Sequence, residues 1–133
     1  MATKTQSVAV GSLSAGDVLV RDSGSMGYSY WRVDDDAETA TEDVPFSPRT
    51  KTVAALFEQG ATRISQQAYE LFEKRLFSGR FTPHPGQEAE CLHGKTGVVE
   101  EIVVDDDRLL FKGTRSDGGP WQSRNPQNPK TDN

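Results

Sequence analysis

Hydrophobic and polar residues along this chain alternate with a two-residue period towards both ends and with a helical period in between. Residues 97–104 (GVVEEIVV) and 108–112 (RLLFK) are β-prone runs on either side of the acidic bend Asp105-Asp106-Asp107. The pattern predicts a β-hairpin with a turn of about three residues and with Val98, Val104 or Leu110 facing the core. Residues 18–21 (VLVR) and 28–33 (YSYWRV) predict two further strands, joined by the two-glycine loop 22–27. Alternation places Tyr28, Tyr30 and Arg32 on one face and Ser29, Trp31 and Val33 on the other, with Trp31 and Val33 as the inward pair.

Between these strand pairs the period changes. Ser47 followed by Pro48 reads as an N-cap with proline in the first turn. It predicts a helix over residues 48–59, with Val53, Leu56 and Phe57 on one face and Gly60 as its stop. A second helix over residues 66–77 is capped by Ser65, carries Ala68, Leu71, Phe72 and Leu76 on one stripe, and ends at Gly79. Residues 88–93 predict a strand leading into the hairpin, and Trp121 anchors one last short strand. Residues 34–43 hold six acids and no base, which reads as an exposed loop too like-charged to fold on itself. Residues 1–7 and 124–133 read as flexible polar tails. The expected fold is α+β, a single domain over residues 8–123. A small antiparallel, partly closed sheet is built from residues 18–21, 28–33, 97–104 and 108–112, with a two-helix insertion at about 48–77.

Residues 92–111 resemble a KOW motif, the loop-and-strand element of small SH3-like barrels in ribosomal proteins and transcription elongation factors. In that family a strand leads into a glycine-bearing basic loop, then a glycine and a valine-rich strand. Gly94, Lys95, Gly97, Val98, Val99 and Ile102 stand in the fitting places. The resemblance implies an SH3-like barrel and contact with RNA or RNA polymerase. Glu100, Glu101 and the three aspartates are acidic where RNA-binding members tend to be basic.

Charge narrows the functions. The 133 residues include 20 Asp and Glu against 15 Lys and Arg, a net charge of −5, which disfavours a general polyanion binder. Residues 1–47 hold three bases against eight acids, residues 48–81 six against three, and residues 82–133 six against nine. A basic middle thus lies between acidic flanks. Cys91 is the single cysteine, so no internal disulfide forms and a reducing compartment is the better fit. No stretch has the apolar length of a signal peptide or a membrane span. A soluble cytoplasmic protein is expected, of a size that suits a virus or mobile element.

The candidate chemistry is sparse. Cys91, His93 and His84 fall close together but are too few for a tetrahedral zinc site, and the aspartate triplets lack calcium-loop spacing. There is neither a Gly-x-Ser-x-Gly elbow nor a phosphate-binding glycine loop. No metal, cofactor or catalytic residue is therefore expected. The two predicted helices and the link 60–64 have the lengths of a helix-turn-helix. In that arrangement Arg63, Gln66 and Gln67 open a recognition helix and reach base edges, while Lys74, with Lys51, Arg75 and Arg80, touches phosphates. Glu70 and Glu73 on the same helix repel the nucleic acid backbone. The other constellation pairs the acids Asp34, Asp35, Asp36 and Glu38 with the aromatics Tyr28, Tyr30 and Trp121, a set that fits a protein partner with a basic surface. The leading expectation is a non-catalytic protein-binding module, an inhibitor or accessory factor of a nucleic-acid-handling machine. The alternative is a DNA-binding regulator using residues 51–77.

Overall fold

The computed structural model describes residues 13–129, so the expected tail 1–7 and residues 130–133 lie outside the described residues. The chain divides into two compact units, residues 1–66 and 67–133. The fold is α+β, with two antiparallel sheets and two α-helices among the described residues.

In the first unit, β1 (Val18–Asp22), β2 (Tyr28–Val33), β3 (Thr39–Glu42), β4 (Thr50–Thr52) and β5 (Thr62–Ile64) form one sheet in the order β4-β3-β2-β1-β5. Leu19 pairs with Trp31, and Val33 with Ala40, so all four share a face. There they join Leu13, Val53, Leu56 and Ala61 in the core. Trp31 and Val33 are buried as the alternation predicts. Val18, Val20 and Ile64 point the other way and are buried too. That explains the unbroken apolar run of β1, which is paired on both edges and buried on both faces.

Helix α1 (Val53–Glu58) is shorter than the predicted 48–59. Its N-cap is Thr52 rather than Ser47, with Thr52 Oγ1 accepting the Ala55 N–H at 3.1 Å. Residues 50–52, two of them threonine, pair with β3 instead, because β-branched residues favour a strand once a sheet edge is available. That edge lies inside the acidic stretch that composition alone reads as loop. Gly60, at φ 89°, ends α1, and the link beyond it becomes β5.

In the second unit, helix α2 (Gln66–Phe77), whose first residue closes the first unit, precedes β6 (Glu88–Glu90), β7 (Thr96–Asp105), β8 (Arg108–Arg115) and β9 (Pro120–Ser123), a meander in the order β6-β7-β8-β9. The helix buries Ala68, Tyr69 and Phe72. Phe72 meets the buried His84 edge-on at 5.1 Å, and the Arg75 guanidinium lies 5.7 Å from the Phe111 ring centre.

The predicted hairpin is β7–β8, but its turn is the two residues Asp106-Asp107, both at positive φ (55° and 61°), as a type I′ turn requires. Its core positions also differ from the expectation. Val99, Ile102, Leu109 and Phe111 are buried, whereas Val98 is exposed and Val104 and Leu110 are half-buried. A bulge between Val99 and Glu101 lets residues of opposite parity share the inner face.

Two glycines make the sheet possible. A Cβ on Gly113 would fall 1.8 Å from the Val98 carbonyl oxygen, and one on Gly97 would fall 2.5 Å from Trp121 Cγ. Gly97 therefore serves packing, not a turn.

The four strands expected in one sheet are divided between the units. β1 and β2 find partners in β3 and β5, and β7 and β8 find theirs in β6 and β9. Residues 124–129 are no loose tail. Gln127 bridges Glu90, Pro126 is buried, and its carbonyl accepts from Arg75 Nη2 at 3.0 Å.

Candidate protein-binding cleft

The loop 43–49 between β3 and β4 carries the most exposed aromatic residue of the described chain. Phe46 is 84% exposed and Val44, two residues earlier, is 40% exposed. Prolines 45 and 48 bracket the tip, and Ser47 sits at φ 49°, a conformation L-residues rarely adopt. The base of the loop is fixed. Arg49 donates from Nε and Nη2 to the two carboxylate oxygens of Glu42 at 3.1 and 3.0 Å, a two-pronged fork. That fork holds the Glu42 carboxyl below its ordinary pKa. Arg49 and Lys51 both stand over the Trp31 ring, at 5.4 and 5.6 Å from its centre, so cation–π attraction adds to the anchoring. The Asp43 N–H donates to the Tyr30 carbonyl at 2.8 Å, tying the loop to β2.

Beside this loop lies a cleft of about 580 Å3. Tyr28, Tyr30 and Val44 supply its apolar surface, Asp22, Glu42 and Asp43 its carboxylates, and Arg21 and Arg49 its cations. Tyr28 and Tyr30 are half-buried. Burial raises the pKa of both phenols, Tyr28's further through the charge of Asp22 and Tyr30's through its interaction with Tyr28. Both are therefore neutral hydrogen-bonding groups at physiological pH. A second hollow, which shares Glu42 and Asp43 with the cleft, is also lined by Asp34 and Asp35. Between residues 13 and 66 there are nine acids against five bases, so this surface attracts cations.

The acidic stretch itself is folded, which corrects the reading of it as structureless loop. Asp36 Oδ1 accepts the backbone N–H of Glu38 at 2.9 Å and of Thr39 at 3.1 Å, closing the β2–β3 turn. These bonds lower the Asp36 pKa. Asp34 accepts the hydroxyls of Thr39 and Thr41, at 2.8 and 3.0 Å. Carboxylates here offset their mutual repulsion by satisfying local donors. Asp35 and Glu38 are exposed.

The remaining predicted residues are scattered. Trp121 lies in the second unit and is 4% exposed, with its Nε1–H donating to the Lys95 carbonyl at 2.9 Å. It packs over Gly97 and is not a surface anchor. Arg63 sits on β5, not on a recognition helix, and its Nε donates to the buried Asp17 Oδ2 at 2.9 Å. Asp17 Oδ1 also accepts the Gln66 N–H at 3.1 Å. Gln66, Gln67 and Lys74 are exposed on that helix. A strand, not a tight turn, therefore stands between α1 and α2. Cys91 and His93 line one hollow of the second unit, and His84 is buried against Phe72. Among the described residues no group of three or more His, Cys, Asp and Glu is placed to hold a metal, and no helix is long and apolar enough to cross a membrane.

Neither a protein-family model, nor a curated protein, nor a solved structure matches the chain. Phe46 is the residue that pattern reading passes over. Its signal is an aromatic held between two prolines beside an acidic run, one position before the Ser47-Pro48 pair that reads as a helix start.

Proposed function

We propose that the protein is a non-catalytic binding module that docks a partner protein with a basic surface onto the cleft beside loop 43–49. The observation that carries this reading is Phe46, an 84% exposed aromatic on a loop braced at both ends, next to a carboxylate- and tyrosine-lined cleft. Leaving such a side chain in water forfeits about 1.5–3 kcal/mol of burial, and exposed aromatics in a fixed setting are typical binding hot spots. The carboxylates around it steer a basic partner and set its orientation. In this reading the SH3-like character of residues 92–111 belongs to a scaffold sheet. The partner is a component of a nucleic-acid-handling machine, whose surface is basic because it meets phosphates, and the module acts as inhibitor or accessory factor.

The test is affinity capture from the cells that make the protein, with wild type, Phe46→Ala and Tyr30→Ala as baits and identification of what each retains. A basic protein held by wild type and lost from both variants is expected. A duplex-DNA mobility shift abolished by Gln67→Ala, with no protein dependent on Phe46, would transfer the function to DNA binding through α2.

A further inference from the structure

A hollow of about 440 Å3 lies wholly within the second unit and runs against the acidity of the chain. Five cations face it: Lys74 and Arg75 from the last turns of α2, Arg80 just beyond, Arg108 at the start of β8, and Arg124 after β9. Asp107 is the one acid on its wall. Among the described residues only Arg124 of these five has a carboxylate partner, Asp105.

Two of the arginines, Arg75 and Arg80, are oriented by neutral groups that leave their charge intact. Arg75 donates from Nε to the Phe81 carbonyl at 2.9 Å and from Nη2 to the Pro126 carbonyl at 3.0 Å. Arg80 Nη2 donates to Asn125 Oδ1 at 2.7 Å. Burial, and then the charge of Arg80, lower the Arg75 pKa, which marks the two guanidinium groups as close enough to repel. Holding like charges together costs free energy that a bound anion offsets. Fixed guanidinium forks match phosphate oxygens in pairs. Leu71 and Leu109 add an apolar wall. A few hundred Å3 suits a small molecule rather than a polymer.

We propose that this hollow binds a small phosphate monoester of mononucleotide size. Its phosphate sits among Lys74, Arg80 and Arg108, and its flat or apolar body lies against Leu71 and Leu109. The site belongs to a different unit from the cleft beside Phe46 and does not depend on it.

Calorimetric titration of the full chain at low salt tests this. The titrants are inorganic phosphate, ribose 5-phosphate, the ribonucleoside 5′-monophosphates, adenosine, and a short single-stranded oligonucleotide. At least one monoester is expected to bind about tenfold more tightly than inorganic phosphate or adenosine. Arg80→Gln with Arg108→Gln should weaken it by about tenfold or more, since each removes a charge-assisted contact. Both side chains are exposed, so the variant should keep its circular dichroism spectrum. Lys74→Gln alone should weaken binding several-fold, and Arg115→Gln, a cation paired with Asp117 away from the hollow, should leave it unchanged. The proposal is overturned if no monoester binds, if the double variant binds as well as wild type, or if phosphate alone matches the esters. Oligonucleotide binding without monoester binding would also overturn it, in favour of a nucleic-acid groove.

Discussion

Replacing Asp17 with alanine is expected to destabilise the protein by about 3 kcal/mol. Asp17 is 3% exposed and its carboxylate accepts from three donors: Ser14 N at 3.1 Å, Arg63 Nε at 2.9 Å and Gln66 N at 3.1 Å. Each backbone bond to a charged acceptor contributes on the order of 1–2 kcal/mol. The Arg63 side chain is 33% exposed, so its guanidinium turns to water and its share falls towards that of a surface pair, below about 1 kcal/mol. Asp17→Asn keeps one acceptor and should cost about half as much. Arg63→Met leaves both backbone bonds in place and should cost less than Asp17→Ala. Urea unfolding, followed by circular dichroism and tryptophan fluorescence, measures all three. With a slope of about 1–3 kcal/mol per molar urea, the alanine variant should lose about 1–3 M in midpoint at unchanged slope. A shift near zero for Asp17→Ala, or equal shifts for Asn and Ala, would refute the counting of acceptors.

Other substitutions probe the second unit and the acidic turn. Gly113→Ala should cost about 3 kcal/mol or more in the same assay, because its Cβ would meet the Val98 carbonyl, a backbone atom that cannot swing aside. Changing Asp106-Asp107 to Asn-Gly should stabilise the hairpin by about 1 kcal/mol, since both positions hold positive φ; a lower midpoint would show that the aspartates do more than turn the chain. For Asp36 the folded pKa is depressed by the Glu38 and Thr39 amides. Its contribution to stability is therefore complete above the ordinary aspartate pKa and lost as pH falls through the depressed one. The amide signals of Glu38 and Thr39 should titrate with a midpoint below the ordinary aspartate value, and Asp36→Asn should remove that titration.

The sequence makes the long elements legible and hides the short ones. β7, β8 and α2 carry enough residues to set a period, and the alternation of YSYWRV placed Trp31 and Val33 in the core, as observed. β3, β4, β5 and β6 are only three or four residues long, too short for periodicity to separate from loop. They decide the topology all the same, since they give each long hairpin its own sheet partners. Parity failed in β7 because the bulge after Val99 has no compositional mark. Alternation puts Tyr28 and Tyr30 on one face of β2, and both line the cleft. Trp121 was misplaced because aromatic character does not distinguish an anchor for a partner from an anchor for Gly97. Asp34 and Asp36 look like free charge in sequence, and only the positions of Thr39 and Thr41 reveal that they hold the turn together.

Photocrosslinking from position 46 tests the proposed cleft most directly. p-Benzoylphenylalanine replaces Phe46 in one protein and Phe77, also exposed but in the second unit, in a control. Irradiation in a lysate of the cells that make the protein should give one discrete adduct from position 46 and none of that mass from position 77. Its yield should fall with added salt and in an Asp22→Asn, Asp43→Asn background, because the carboxylates steer the encounter. No adduct from position 46, or one whose yield ignores both salt and the two neutralised aspartates, would contradict a basic partner docked at this cleft.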